Sequence, residues 1–188
     1  MISLFRTTTI IAMFVFVILF SPLPSVATIQ TQQQQQQQKI FEDPVLGFSI
    51  QYPQNWNIRS EAPSIVLLIA NGTTNVVVNI HVKGYNPPFK STIYEQLEHL
   101  TTNAKGDANF SLINSTILNP PQVYQPAVKI MGYNLGYDTT YKQMSVWMFD
   151  DNTAKIFFIR YTAAPDTFAT FLPAVNEMIK SFRPVQVR

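Results

Sequence analysis

Residues 47–56 read Gly47-Phe48-Ser49-Ile50-Gln51-Tyr52-Pro53-Gln54-Asn55-Trp56, a short alternation that stops at a proline turn and delivers a tryptophan. Phe48, Ile50 and Tyr52 share one face of an extended chain while Ser49 and Gln51 take the other, the period of a half-buried strand. Pro53 lacks the backbone donor that would continue a ladder, so the strand ends there. The stretch argues for a sheet and names no chemistry.

The pattern continues downstream. Residues 64–70 are almost uninterrupted apolar chain, and residues 75–83 alternate Val76, Val78, Ile80 and Val82 against Asn75, Val77, Asn79 and His81. Asn71-Gly72 between them tolerates the positive backbone angles of a tight turn, which predicts an antiparallel pair with His81 on its more polar face. Thr92 and Glu95 have capping-box spacing ahead of Ile93, Leu97, Leu100 and Ala104, so residues 92–105 are expected to form an amphipathic helix stopping at Gly106. Four further strands are expected over residues 108–118, 127–138, 141–150 and 153–162, punctuated by Asn119-Pro120-Pro121 and Asp150-Asp151-Asn152.

After Pro165 the period changes. Phe168, Phe171, Leu172, Val175, Met178, Ile179 and Phe182 describe one broad apolar helical stripe. Pro173 falls inside it and predicts either a break or a short first helix followed by a main one with Pro173 in its opening turn. Strands interrupted by one helix and closed by another indicate an α+β domain, an antiparallel sheet flanked by helices over residues 40–184, with residues 185–188 as a tail.

Two blocks together resemble the PsbP family, the extrinsic lumenal subunits of photosystem II and their non-photosynthetic relatives. The first runs from Phe41 through Gly47-Phe48-Ser49-Ile50-Gln51-Tyr52-Pro53 to Trp56. The second runs from Ala154-Lys155-Ile156-Phe157-Phe158-Ile159-Arg160-Tyr161 through the aromatic helix to Ser181-Phe182. DcrB-like bacterial envelope proteins share a similar opening. The resemblance implies a PsbP-like α/β/α sandwich and a non-enzymatic role in binding or stabilising a larger assembly. It carries over no functional residue, because the basic and N-terminal elements of photosystem docking have no counterpart. The chain looks most like extracytoplasmic prokaryotic or archaeal relatives.

The N-terminal residues supply an address. Arg6, an apolar run over residues 10–20, then Pro22, Pro24 and Ser25-Val26-Ala27 read as a secretory signal cleaved between Ala27 and Thr28. Retained, the run would anchor the chain, although eleven residues of helix cover only ~16 Å of a ~30 Å hydrocarbon core. Residues 28–39, dominated by an unbroken glutamine run, are expected to be a disordered spacer.

The chain contains no cysteine, which excludes disulfides, thiol catalysis and acylation at a lipobox. Of 13 basic residues only Arg6 leaves with the signal, so 12 face 11 acidic ones at a net charge of +1, no footprint for nucleic acid.

Candidate sites are few. Asn71, Asn109 and Asn114 head glycosylation sequons in a chain that reads as exported, little more than chance supplies. Ser49 lacks the second glycine of a nucleophile elbow, and His81 and His99 lack metal-ligand spacing. Asp150-Asp151-Asn152 lacks the acidic spacing of a calcium loop and reads as a solvated turn. Tyr133, Tyr137 and Tyr141 recur every four residues and would share one face of a continuous extended chain, a candidate contact patch. No catalytic residue, cofactor or metal is expected. The leading expectation is a non-catalytic extracytoplasmic domain that binds or stabilises a membrane-associated or envelope protein assembly. The alternative is a small-molecule or metal-binding envelope protein, with or without hydrolytic activity.

Overall fold

Residues 37–73, 75–85, 92–136 and 139–185 are described by the structure, a computed structural model, and all fall in one compact unit, Gln35–Arg188. The expected signal, its cleavage site at Ala27 and Thr28, most of the glutamine spacer and Tyr137 lie outside the described residues.

The alternation at residues 47–56 is strand β2 (Phe48–Pro53), the centre of a three-stranded antiparallel sheet in which β1 (Gln38–Asp43) and β10 (Arg183–Pro184) flank it. The first strand takes in Gln38 and Lys39, ahead of the expected domain start at Ile40, because main-chain pairing with Pro53 and Tyr52 needs no apolar side chain. Asp43 shapes the turn between β1 and β2: its Oδ1 accepts the backbone N–H groups of Val45 and Leu46, both at 2.9 Å. Gly47 sits at φ +76° in that turn, a conformation L side chains rarely adopt, and its N–H donates to Asp43 O at 2.7 Å.

Seven strands form the main antiparallel sheet in the order β3-β4-β5-β9-β8-β7-β6. They are β3 (Trp56–Ala62), β4 (Ile65–Ala70), β5 (Val77–Gly84), β6 (Phe110–Leu118), β7 (Ala127–Leu135), β8 (Thr140–Asp150) and β9 (Lys155–Ala163). Alternation decides which face is the core. Val78, Ile80 and Val82 register with Tyr161, Ile159 and Phe157, and those in turn with Met144, Val146 and Met148, all of them buried. The intervening Gln143, Ser145 and Trp147 on β8 point the other way, as do Phe158 and Arg160 on β9.

Helix α1 (Ile93–Gly106) begins with the anticipated box: Glu95 N–H donates to Thr92 Oγ1 and Thr92 N–H to Glu95 Oε2. Helix α2 (Pro165–Ser181) borders Met144 of β8, whereas Leu100, Asn103 and Ala104 of α1 border Gln143, Ser145 and Trp147 of the same strand. Because those β8 residues alternate, the helices lie on opposite faces and the sheet is sandwiched α/β/α, with the three-stranded sheet packed on the α2 side.

One expectation fails. Helix α2 runs through Pro173 without a break. Pro173 is exposed, and so are Ala169 and Thr170 one turn before it, so the carbonyl deprived of a donor faces water. Pro165 instead occupies the first turn, where no backbone donor is needed.

The two halves of the resemblance meet in the core. Phe48 of β2 stacks on Phe182 at 5.3 Å between centroids, and Phe182 meets Phe157 of β9 edge-on at 5.1 Å. Ser181, beside it, accepts Gln51 N–H at 2.9 Å and donates to Met178 O at 2.7 Å, joining the end of α2 to β2. Trp56 leans edge-on against Phe171 of α2 at 6.2 Å. Deeper in, Tyr161 stacks on Phe168 at 4.5 Å and its hydroxyl donates to Phe168 O at 2.9 Å.

Phe182→Ala is expected to cost ~3–5 kcal/mol in urea denaturation, because it empties a fully buried site at the junction of both sheets and α2. Burial pushes the Tyr161 phenol up from 10.0 to about 12, so its contribution is complete below pH 10 and is lost as pH rises through about 12. Alkaline unfolding over that window should be shallower in Tyr161→Phe, which also loses ~1 kcal/mol with the hydrogen bond; an unchanged slope would refute the assignment. At Gly132 of β7 an added Cβ would stand 2.5 Å from Ser111 O and overlap the Phe110 ring. Gly132→Ala should therefore lower stability by ~1–3 kcal/mol, read as a lowered midpoint in thermal denaturation.

Candidate functional site: a cleft beneath α1 and the open sheet face beside it

The face that looks away from α2 is divided. Over β6 and β7 it is packed against α1, whose inward stripe is Ile93, Leu97, Leu100 and Ala104. Between the edge of α1 and strands β8 and β9 lies a cleft of 440 Å³. Its ledge is aromatic: Trp147 and Phe158 are cross-strand partners with ring centroids 4.1 Å apart. Arg160 stands two residues further along β9, its guanidinium carbon 4.8 Å from the Phe158 ring centroid.

The floor is polar and neutral. Gln143 and Ser145 are both buried, and the Gln143 amide donates to Ser145 Oγ at 3.1 Å. Asn103 of α1 and Asn134 of β7 add two amides at the rim. Asp107, just past α1, is the acidic group lining the cleft, and its Oδ1 accepts Asn109 N–H at 2.8 Å.

Arg160 is unusual in this setting. Its cross-strand neighbours are Ser145 and Asn79, neither of them acidic, and no hydrogen-bond or ion-pair partner for it is found among the described residues. Desolvation by the surrounding protein pulls its pKa below the ordinary value, yet the group stays protonated at physiological pH. A cation without a partner among the described residues, set on aromatic rings above uncharged hydrogen-bonding side chains, is a receptive surface for an anion-bearing molecule.

Further along the same face, strands β4 and β5 turn Ile65, Leu67, Ile69 and Val77 outward as a half-buried apolar strip. Asn57 and Arg59 of β3 border it on one side, and Asn79 and His81 of β5 on the other. Among the described elements no helix packs there: α1 lies on β6 and β7.

The residues singled out from the sequence are scattered. Asn71 occupies the turn between β4 and β5, Asn109 precedes β6 and Asn114 lies on that edge strand, all exposed. The tyrosine patch does not assemble. Tyr133 pairs with Lys142, and Tyr141 with Asn134, so the two rings point to opposite faces of the β7–β8 hairpin. The four-residue spacing required one continuous extended chain, and the chain reverses between Leu135 and Thr140. Tyr133 instead lies under the Lys142 ammonium at 5.9 Å.

Ser49 is a strand residue opposite Glu42 and Arg183. His81 faces Phe158 across the ladder, while His99 lies exposed on α1 beside Asn103. The chain turns here, but the turn is solvated only in part: Asp150 ends β8 buried, accepting Asn152 N–H and the Thr153 hydroxyl, while exposed Asp151 accepts the Tyr85 hydroxyl, whose pKa is raised by burial and then by that carboxylate. Among the described residues no group of three His, Cys, Asp or Glu side chains is placed to hold a metal, and no helix is long and apolar enough to cross a membrane.

The cleft residues were not anticipated. One signal was present: Arg160 interrupts the run Ile156-Phe157-Phe158-Ile159-Arg160-Tyr161, where a strand otherwise consists of apolar and aromatic residues.

No family model matches the chain, and no curated protein matches it in sequence. Solved structures do match in fold. The cyanobacterial PsbP, CyanoP, of Synechocystis sp. PCC 6803 superposes with a TM-score of 0.56 at 15% identity, covering 87% of this chain and 99% of its own. LpqN of Mycobacterium tuberculosis, described as involved in cell envelope biogenesis, superposes at 0.50 with 16% identity over 79% of this chain and 91% of its own. The Ran-binding protein Mog1p of Saccharomyces cerevisiae superposes at 0.56 with 10% identity over 80% of this chain and 97% of its own. With Phe48, Phe157 and Phe182 joining the two quoted blocks in one core, and CyanoP covered almost end to end, the domain has the PsbP-like fold.

Proposed function

We propose that the chain is a non-catalytic, extracytoplasmic PsbP-like domain that binds or stabilises a membrane-associated or envelope protein assembly. The observation that carries this is the strip of Ile65, Leu67, Ile69 and Val77, an apolar centre rimmed by Asn57, Arg59, Asn79 and His81. Such a surface has the anatomy of a protein interface, with a water-excluding centre and a polar border. The occupant is a protein with an apolar patch of its own. Export is supported by the leader-like N-terminal residues and by the likeness to LpqN, a protein described as acting in envelope biogenesis. A non-catalytic role is supported by the separation of Ser49, His81 and His99 on different elements.

The reading is tested with a photo-crosslinking residue at position 67 and, as a control, at exposed Tyr94, both in the native membrane fraction. A recurrent adduct with an envelope or membrane protein from position 67 alone is expected. Leu67→Asp should reduce co-recovery of that protein at least fivefold without lowering the melting temperature by more than a few degrees. Adducts with cytosolic proteins only, or equal yields from both positions, would sink the proposal.

A further inference from the structure

We infer that the cleft beneath α1 is a binding site for an acidic saccharide, its ring packing on the Trp147 indole and its carboxylate on Arg160. This goes beyond the partner reading and does not depend on it, because the strip at Leu67 and the cleft use different residues.

Three features of the cleft converge on this chemistry. Its 440 Å³ lies in the range of small-molecule sites, roughly 300–1,000 Å³. Trp147 lines the cleft stacked against Phe158, with the two ring planes tilted by 31°, and its indole gives the polarised C–H groups of a sugar ring a surface to pack on. Gln143, Ser145 and Asn103 supply neutral donors and acceptors, which suit hydroxyl groups that both give and take hydrogen bonds. Asp107 adds an acceptor for a hydroxyl at the rim.

The charge selects among saccharides. Arg160 lacks a carboxylate partner among the described residues, and a guanidinium already held over an aromatic face has less freedom to lose on forming a two-pronged contact with a ligand carboxylate. An acidic peptide offers the same charge, but peptides gain much of their affinity by pairing with a free strand edge. The floor here belongs to β7, β8 and β9, interior strands whose backbone is paired on both sides. Recognition must therefore run through side chains, and a hydroxylated ring matches this set.

The test is a titration of the full-length protein with trigalacturonate, with a neutral trisaccharide of the same size and with triglutamate, followed by tryptophan fluorescence and calorimetry. Of the two tryptophans, Trp56 is buried on the opposite face, so a ligand in the cleft should quench Trp147. Trigalacturonate is expected to saturate, and the neutral sugar to bind at least tenfold more weakly. Arg160→Gln, at an exposed position, should weaken trigalacturonate at least tenfold and leave the neutral sugar within twofold. Trp147→Leu should weaken both, and Leu67→Asp should weaken neither. Absence of binding, equal affinity for acidic and neutral sugars, an unaffected Arg160→Gln, or tighter binding of triglutamate would each overturn the assignment.

Discussion

Everything in this domain hangs on the contact of three phenylalanines from three distant parts of the chain. Phe48 comes from the small sheet, Phe157 from the centre of the large one and Phe182 from the end of α2, and all three are fully buried. Each ring removes a large apolar area from water, and together they tie elements that have no common ladder. The polar contacts around them hold the same joint: Ser181 grips β2, the Lys155 ammonium donates to Leu46 O at 2.8 Å, and Val185 N–H donates to Gly47 O at 2.8 Å. The glycine at φ +76° is where the chain must turn tightly enough to bring Phe48 into the cluster.

That joint also decides which face of the sheet is free to bind. With α2 and the small sheet gathered on one side, the larger apolar side chains are consumed in the core. Among the described helices, only α1 lies on the other side, over β6 and β7. Gly132 lets the Phe110 ring and the edge strand settle closely on β7 beneath that helix. Two chemically distinct features therefore collect on this second face, an apolar strip on β4 and β5 and a cleft between α1 and β9 whose arginine has no ion-pair partner among the described residues. The two surfaces are chemically different, and a domain of this size can present both without sacrificing its core.

Much of the fold was legible in the order of residues. Strands β4 to β9 and helix α1 fall within a few residues of where alternation, Asn-Gly and Thr-x-x-Glu placed them, because each carries its own period and its own punctuation. Strands β1 and β3 were not legible. Gln38-Lys39-Ile40-Phe41-Glu42-Asp43 and Trp56-Asn57-Ile58-Arg59-Ser60-Glu61-Ala62 are polar edge strands that exist because a neighbour offers its backbone. The continuity of α2 through Pro173 is hidden from the sequence for a related reason. The penalty of Pro173 depends on whether its turn faces water, which local sequence does not state.

The candidate sites show the same division. Spacing along the chain assembled a tyrosine patch that the β7–β8 hairpin takes apart, since one reversal moves Tyr141 to the other face from Tyr133. The cleft as a whole leaves no signature in the sequence because α1, β6, β7, β8 and β9 each contribute only one to three of its residues, and none makes a motif alone. The sequence by itself determined the class of the fold, the period of most elements and the two blocks whose aromatics must meet, because these follow from local periodicity and burial. Only the tertiary structure decided which face the described helices leave open and that Arg160 has no carboxylate beside it among the described residues, because charge compensation and exposure belong to neighbours that are far away in the chain.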